Sequence, residues 1–181
     1  MAKLVKVKGT TGNDVIIGGA GSEFINGKAG DDEVRGENGD DRVFGGPGDD
    51  TVGGGFGDDF VFGGAGNDTV NGGMGQDFLK GGGGEDRLTG NDGDVLFGQG
   101  GADVFRIDAY GSNNVIRDFH ENQGDLIDIP AGYSLADATI VDNGSPNKGV
   151  TISFHLPGEE DVIVTILHIH SASDVSADWF I

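Results

Sequence analysis

Residues 45–80 read GGPGDDTVG, GGFGDDFVF, GGAGNDTVN and GGMGQDFLK, four consecutive copies of one nine-residue unit. Each copy has glycine at its first and fourth positions, aspartate at the sixth and an aliphatic residue at the eighth. An apolar residue between two outward-facing neighbours is a minimal three-residue strand, and the glycines before it suit a six-residue turn. The period of nine therefore predicts a repeat architecture.

The nine-residue pattern extends well beyond this stretch. It begins at Gly9 and continues through eleven units, of which the tenth, starting at Gly90, is one residue short. Glycine accounts for 37 of the 181 residues, and 31 of these lie between Gly9 and Gly101. The sixth position is always acidic: Asp14, Glu23, Asp32, Asp41, Asp50, Asp59, Asp68, Asp77, Asp86, Asp94 and Asp103. The eighth position is always apolar: Ile16, Ile25, Val34, Val43, Val52, Val61, Val70, Leu79, Leu88, Leu96 and Phe105.

This pattern resembles the repeats-in-toxin (RTX) nonapeptide, Gly-Gly-x-Gly-x-Asp-x-U-x with U apolar. Eleven tandem copies make the resemblance specific, and it covers residues 9–106. It implies an all-β fold, a parallel β-roll that is a right-handed, β-helix-like solenoid. In such a roll each pair of units makes one coil, and calcium lies between successive turns. We place the roll in residues 1–106.

Stacked coils would arrange the acidic residues in two columns, with neighbours about 4.8 Å apart. Two carboxylates at this distance repel by about 3.5 kcal/mol at an effective dielectric near 20, so the roll requires counter-ions. Calcium accepts about 6 to 8 oxygen ligands, whereas magnesium demands tighter octahedral geometry. We predict about six to nine Ca²⁺ ions, held by the eleven acidic side chains together with main-chain carbonyls. The carbonyls would come from turn residues such as Gly46, Gly48, Gly55, Gly57, Gly64, Gly66, Gly73 and Gly75.

The overall charge narrows the classes of partner. The chain has 31 Asp and Glu against 11 Lys and Arg, for a formal net charge of −20. Such a surface disfavours binding to nucleic acids, and to anionic membranes unless cations intervene. Cysteine is absent, which excludes a disulfide scaffold and a zinc-thiolate site. No segment approaches the roughly 18 apolar residues of a membrane span.

The seventh and ninth positions should face solvent, and their composition alternates between units. Odd-numbered units carry mostly Thr, Asn and the arginines Arg35, Arg87 and Arg106. Even-numbered units instead carry phenylalanines that one sheet would present together: Phe24, Phe44, Phe60, Phe62, Phe78 and Phe97. An apolar patch of this size marks a contact surface. It would be covered by the C-terminal segment, by a homodimer partner or by a distinct hydrophobic partner.

Residues 107–181 leave the nonapeptide pattern, and we predict a capping and secretion segment there. Asp118 and Asp125 lie in stretches that resemble the segment after the roll in secreted RTX proteases and lipases. That resemblance implies that they cap the roll or bind one more ion. The last four residues, Asp178-Trp179-Phe180-Ile181, resemble an uncleaved type I secretion signal, and an ordinary amphipathic tail is the alternative.

Alternating apolar residues predict an antiparallel hairpin that forms a β cap over the open end of the roll. The two alternating series are Val150, Ile152 and Phe154, then Ile163, Thr165, Leu167 and Ile169. His168 and His170 share one side of the second strand. We predict that both are exposed rather than metal-bound.

The chain contains no His-Glu-x-x-His, Gly-x-Ser-x-Gly or Walker motif, so we predict no catalytic activity. Residues 1–8 lack the apolar core of a Sec signal. We expect a secreted bacterial protein, extracellular or on the cell surface, that is exported by the type I machinery and folds when calcium binds. One alternative is a C-terminal folding and secretion module of a larger enzyme, toxin or adhesin. Another is a polysaccharide-binding module that uses Arg35, Arg87 and Arg106.

Overall fold

The computed structural model describes residues 4–91, 93–108, 113–129, 133, 135–143, 149–154, 161–167, 169 and 172–181. His168 and His170 lie outside the described residues. The chain forms seventeen strands and no α-helix within those residues. Four short 3-10 turns lie at Glu121–Gln123, Leu135–Asp137, Ala172–Asp174 and Ala177–Trp179.

The strands of the repeat region alternate between two sheets. They are β1 Val5–Lys8, β2 Val15–Ile17, β3 Glu23–Asn26, β4 Glu33–Asn38, β5 Arg42–Pro47, β6 Thr51–Phe56, β7 Phe60–Ala65, β8 Thr69–Met74, β9 Phe78–Gly83, β10 Arg87–Gly90, β11 Val95–Gly100 and β12 Val104–Ile107. The remaining strands are β13 Asn114–Ile116, β14 Leu126–Asp128, β15 Ala138–Asp142, β16 Val150–Phe154 and β17 Val162–Ile166.

Both sheets of the repeat region are parallel. One sheet has the order β1-β3-β5-β7-β9-β11-β13-β17-β16-β15, and the other has the order β14-β12-β10-β8-β6-β4-β2. Val43 pairs with Val61, and Val52 pairs with Val70, so the register is eighteen residues. Two nine-residue units therefore make one coil, and the predicted parallel roll is confirmed.

The core is a double ladder of the eighth-position side chains. Val43 and Val61 are fully buried on one sheet, as are Val34 and Val70 on the other. The apolar residues of the C-terminal strands extend the same cluster. One side chain per unit fills the space between the two sheets, so the core is narrow. The backbone of each coil therefore lies near the surface of the protein.

The strands are longer than the predicted three residues. Strands β4 to β9 have six residues each and run from the seventh position of one unit to the third position of the next. Gly55, at a second position, has φ of 124°, yet it still pairs with Gly73 in the next coil. The turn therefore shrinks to the fourth, fifth and sixth positions. The prediction was wrong here because strands were assigned only to the apolar positions.

Parallel pairing continues beyond residue 106. Strand β13 pairs with β11, and β14 pairs with β12. Strand β17 then adds to β13 in parallel, while β16 and β15 follow antiparallel, which confirms antiparallel strands at this end. Residue 106 thus ends the nonapeptide pattern but not the ladder. None of the helical turns in the described residues is long and apolar enough to cross a membrane.

The buried face of β17 is the opposite of the series picked out in the sequence. Val162, Val164 and Ile166 are fully buried, whereas Ile163 and Thr165 are only partly buried. Ile166 pairs with Ile116 of β13, which places it in the core ladder. The neighbouring strand decides which face is inward, and this neighbour is not apparent from the local alternation.

We predict that Gly66→Ala destabilises the roll whereas Gly83→Ala does not. Gly66 has φ of 127°, and an added Cβ would collide with the carbonyl oxygen of Gly48 one coil earlier. Residues forced into such backbone regions cost about 1 to 3 kcal/mol. At Gly83 an added Cβ meets nothing within 4 Å. Thermal unfolding in excess calcium, followed by circular dichroism, should show a melting temperature several degrees lower for Gly66→Ala only. Equal melting temperatures would contradict this account of the turn.

Candidate metal centre

The acidic residues at the sixth positions lie where the turns lead into the strands, and they form two columns. One column contains Asp14, Asp32, Asp50, Asp68, Asp86 and Asp103, and the other contains Glu23, Asp41, Asp59, Asp77 and Asp94. All except Asp14 are buried, with at most 6% of the residue exposed. Carboxylates so far from water need a compensating partner.

Glycine at the first position of each unit lets these carboxylates lie over the backbone. A Cβ at Gly54 would collide with the carboxylate of Asp59, and one at Gly63 would collide with that of Asp68. Glycine at the fourth position serves a different purpose, because it admits the carbonyl of the preceding coil. The two glycine positions thus bring carboxylate and carbonyl oxygens into the same turns.

Beyond Asp14 and Glu23, one oxygen of each carboxylate in the columns joins two successive coils. Oδ1 of Asp50 accepts a hydrogen bond from the backbone N–H of Asp32 at 2.7 Å, and Oδ1 of Asp68 accepts one from Asp50 at 2.8 Å. The second column repeats this arrangement, since Oδ1 of Asp59 accepts from the N–H of Asp41 at 2.7 Å. Every column residue after Asp14 and Glu23 is therefore both donor and acceptor in a ladder that runs along the roll.

The other oxygen has no hydrogen-bond partner in most units. Among the described residues, Oδ2 is buried and unpartnered in eight carboxylates: Asp32, Asp41, Asp50, Asp59, Asp68, Asp77, Asp86 and Asp103. A buried acceptor without a donor costs about 1 to 3 kcal/mol, and more when it is charged. A bound cation is the kind of partner that would satisfy all eight oxygens.

Burial also changes the acidity of these groups. Loss of hydration raises the pKa of Asp59, Asp77 and Asp86 to about 7, and the neighbouring carboxylates add to this increase. It raises the pKa of Asp50 and Asp68 to about 6. The hydrogen bonds to Oδ1 act in the opposite direction but are the smaller effect. In the absence of cations, these five aspartates therefore keep their protons at pH values where an exposed aspartate would have lost them.

Three acidic residues near the column ends differ because protein donors satisfy them. Oδ2 of Asp14 accepts from the backbone N–H of Thr10 at 2.6 Å. Oε2 of Glu23 accepts from the N–H of Gly19 at 3.0 Å, and Oδ2 of Asp94 accepts from the N–H of Asn91 at 2.8 Å. Their second oxygens are therefore less available to a cation than those in the middle of the columns.

Lys28 and Asn91, each at the second position of a nine-residue unit, place a side-chain hydrogen-bond donor in the turns. The Lys28 ammonium donates to the carbonyl of Gly9, and its charge lowers the pKa of Asp14 after the larger effect of the Thr10 hydrogen bonds. The Asn91 amide donates to the carbonyl of Gly73 at 2.7 Å. Both carbonyls belong to the coil below, in the region where a cation would bind. Sequence reasoning did not identify either residue.

The columns continue past the last nonapeptide. Oδ1 of Asp125 accepts from the N–H of Asp103 at 3.0 Å, and Oδ2 accepts from that of His120 at 2.7 Å. Asp118 accepts from the N–H groups of Gly98 and Gln99 at 2.9 and 3.1 Å. Backbone donors thus satisfy both predicted end residues.

Asn114 ends the other column, and the sequence analysis missed it. Its Oδ1 accepts from the N–H of Asp94 at 2.9 Å, in the position that an aspartate takes elsewhere. The residue is fully buried. The sequence signal for this role was its place just before the apolar pair Val115-Ile116, which corresponds to the sixth position of a unit. The signal was missed because the side chain is neutral and lies outside the glycine pattern.

The fifth positions form a second ladder on the exposed side of the turns. Oδ1 of Asp31 accepts from the N–H of Asp49 at 3.0 Å, and Oδ1 of Asp49 accepts from that of Asn67 at 2.8 Å. Asp40 and Asp58 repeat this on the other side of the roll. These aspartates are exposed and support the turns without entering the columns.

The donor set fits calcium. Within the described residues, no group of three or more His, Cys, Asp or Glu side chains converges on one point. A cation in the columns would therefore take much of its coordination from main-chain carbonyls; at Gly54, for example, Oδ2 of Asp59 and the carbonyl oxygen of Gly72 both lie within 3 Å of the place that a Cβ would take. A hard cation with many oxygen ligands and flexible geometry matches such a set better than a metal that prefers imidazole or thiolate.

We predict that the cation-free chain gains β structure as the pH falls. Folding raises the pKa of Asp50 from 3.8 to about 6 and that of Asp59 from 3.8 to about 7, so between these values the folded chain binds more protons than the unfolded chain. Stability therefore falls as the pH rises through this window. In EDTA, circular dichroism should show more β structure at pH 5 than at pH 8, and calcium at pH 8 should restore it. A β content in EDTA that increased with pH would contradict this.

Solved structures similar to the chain include two proteins with different activities. One is the extracellular lipase LipA from Serratia marcescens, with 18% identity and a TM-score of 0.36 over 100% of this chain and 40% of that chain. The other is the AlgE6R3 subunit of the mannuronan C5-epimerase from Azotobacter vinelandii, with 21% identity and a TM-score of 0.30 over 96% of this chain and 80% of that chain. The chain thus spans well under half of the lipase. No curated protein matches the chain in sequence.

The family comparison covers the repeat region. The model of the RTX calcium-binding nonapeptide repeat, which describes four copies, matches residues 6–34, 17–52, 48–79, 62–94 and 80–109. These overlapping matches together span more than half of the chain and include both columns of acidic residues. The chain belongs to the family of RTX calcium-binding nonapeptide repeats.

Proposed function

We propose that this chain is an extracellular, non-catalytic calcium-binding protein whose repeat segment folds when Ca²⁺ binds after export by a type I system. The observation that carries the proposal is the set of eight buried Oδ2 atoms without a hydrogen-bond partner. Residues 1–106 supply the calcium-binding roll in this proposal, and residues 107–181 supply a cap and the export signal.

Calcium binding and folding are coupled by the position of the ligands. Residues such as Asp50 and Asp68 are eighteen positions apart and approach each other only when the coils stack. The unfolded chain therefore offers no preformed site, and the free energy of binding becomes free energy of folding. Where calcium is scarce, as in the cytosol, repulsion along the columns keeps the chain open. This suits a protein that is exported unfolded.

The number of ions follows from the unpartnered oxygens. Five of them belong to one column and three to the other, because Asp14, Glu23 and Asp94 are satisfied by their own turns. If each such carboxylate faces one ion, the roll binds about eight Ca²⁺ ions, within the expected range of about six to nine. Eight divalent ions would reduce the net charge from −20 to about −4.

The cap proposed for residues 107–181 rests on contacts at the end of the roll. Trp179 is buried against Phe119, with ring centroids 4.9 Å apart, and Phe180 forms a β-bridge with Ile127. The backbone N–H of Ile181 donates to the carbonyl of Ile127 at 3.1 Å. The terminal residues thus pack on the last strand of the smaller sheet. An export role for them requires the unfolded chain, in which they are free of these contacts.

Calcium-dependent folding is tested with a matched pair of variants, Asp50→Asn and Asp49→Asn. Asparagine at residue 50 can still accept the hydrogen bond from Asp32, but its second group is no longer an anionic ligand. Asp49 belongs to the exposed ladder, where Asn67 shows that asparagine is suitable. Circular dichroism of the wild type at pH 8 should show a disordered chain in EDTA and β structure with calcium.

Both variants lose one negative charge, but only Asp50→Asn should weaken folding in calcium. A lost site costs about 2.7 kcal/mol when calcium is a hundredfold above its Kd. Asp50→Asn should therefore need more calcium to fold and should melt at a lower temperature, while Asp49→Asn should follow the wild type. A chain equally compact in EDTA and calcium, or two variants with the same calcium dependence, would overturn the proposal.

The ion count is tested with Lys28→Gly. The Lys28 ammonium lies beside the first turn of its column, and the residue has φ of 88°, a conformation that glycine adopts readily. Removing the ammonium should open a site, so native mass spectrometry in calcium should show one more ion than in the wild type. Lys80→Gly removes the same charge from a strand and should leave the count unchanged. An unchanged count for Lys28→Gly would show that the lysine does not replace an ion.

A further inference from the structure

The outward face of the ten-stranded sheet is basic and aromatic, although the chain as a whole is strongly acidic. Along β3, β5, β7, β9 and β11, and at the paired positions of β1, the seventh and ninth positions hold six phenylalanines, four cations, Asn26 and Val95, and no carboxylate. The cations are Lys6, Lys8, Arg42 and Lys80, and Arg117 follows β13 beside them. We call this surface the basic aromatic face.

The cations of the basic aromatic face lack carboxylate partners among the described residues, unlike the arginines of the other sheet. Arg35 pairs with Glu33 at 2.5 Å, Arg87 with Asp128 at 3.3 Å, and Arg106 with Asp108 at 3.4 Å. On the basic aromatic face, Arg42 instead lies over the ring of Phe60, 5.4 Å from its centroid. One sheet therefore neutralises its own charges, and the other leaves its positive charges for an external anion.

The phenylalanines form one continuous ridge. Phe44 and Phe62 stack with ring centroids 4.8 Å apart and an interplanar angle of 2°, and Phe24 and Phe97 extend the row through contacts of 5.1 and 5.0 Å. Five strands at about 4.8 Å spacing give a ridge about 20 Å long. Because neighbouring rings in the row lie only 4.8 to 6.0 Å apart, the ridge covers much of the faces of its own inner rings. It offers few free ring faces on which sugars or nucleobases could stack.

No described contact shows the C-terminal segment covering this ridge. Strands β15, β16 and β17 extend the same sheet edge to edge instead of folding over it, and Phe60 remains 43% exposed. A second copy packed face to face would bring its own unpaired cations without any carboxylate to meet them, which like-charge repulsion disfavours. An apolar ridge flanked by unpaired cations is complementary to a partner that has an apolar interior and anionic groups at its surface.

We propose that the basic aromatic face binds the surface of a membrane that contains anionic lipids. The phenylalanine rings would enter the boundary between headgroups and acyl chains, while Lys6, Arg42 and Lys80 contact the anionic headgroups, in the manner of other interfacial surfaces. The inference rests on the proposed function, since the face exists only in the folded roll and bound calcium removes most of the opposing charge.

The test compares two triple variants with the same change in charge. Lys6→Ala/Arg42→Ala/Lys80→Ala acts on the basic aromatic face, and Arg35→Ala/Arg87→Ala/Arg106→Ala acts on the opposite sheet. Each is mixed, in calcium, with vesicles of phosphatidylcholine alone or with about 30% phosphatidylserine, and binding is measured by co-sedimentation. Wild type and the second variant should bind the anionic vesicles, and the first should bind at least tenfold more weakly. If calcium ions instead bridged carboxylates of the protein to lipid headgroups, the two triple variants would bind the anionic vesicles equally well.

Circular dichroism of the same samples separates the two proposals. A wild type that folds in calcium but does not bind anionic vesicles overturns the membrane inference and leaves calcium-dependent folding intact. A wild type that does not fold in calcium overturns both. Equal weakening in both triple variants, a calcium-dependent dimer that buries the face, or binding to a polyuronate in place of vesicles would each overturn the inference as well.

Discussion

Carboxylates stacked at the spacing of one coil are the constraint on which this structure depends. The roll places Asp32, Asp50 and Asp68 directly above one another, with one oxygen of each fixed by a backbone N–H of its neighbour. The geometry that forms this ladder leaves the second oxygen buried and without a donor. The same backbone hydrogen bonds that stabilise the coils thus create the need for a cation, and the proposed link between folding and calcium rests on this need.

The repeat also has to end, and at the column ends protein groups satisfy or replace the carboxylates. At the first coils, Thr10 and Gly19 supply N–H groups to Asp14 and Glu23, and the Lys28 ammonium adds a tethered positive charge. At the last coils, the neutral Asn114 takes the place of an aspartate. Lys28 and Asn114 therefore lower the negative charge where a column has no further coil beside it.

The nine-residue period was sufficient to predict the parallel roll, the two columns and the narrow core, because every unit repeats the same local instructions. Features that depend on contacts between distant residues were not predictable in this way. The inward face of β17 is set by its pairing with β13, and Asn114 acquires its role only because the coil of Asp94 lies beneath it. The lengths of the strands were also missed, because glycine at positions such as Gly55 pairs while keeping a positive φ.

Net charge was a poor guide to the surfaces of this protein, and the architecture explains why. Most acidic residues occupy the turns, whereas the outward sheet positions are set independently by the seventh and ninth residues of each unit. The two sheets can therefore differ from the turns and from each other, as the paired Arg87 and the unpaired Lys80 show. Since the proposed calcium sites lie at the turns and the proposed contact surface lies on a sheet, we expect substitutions on the basic aromatic face to alter the binding of a partner without altering the binding of calcium.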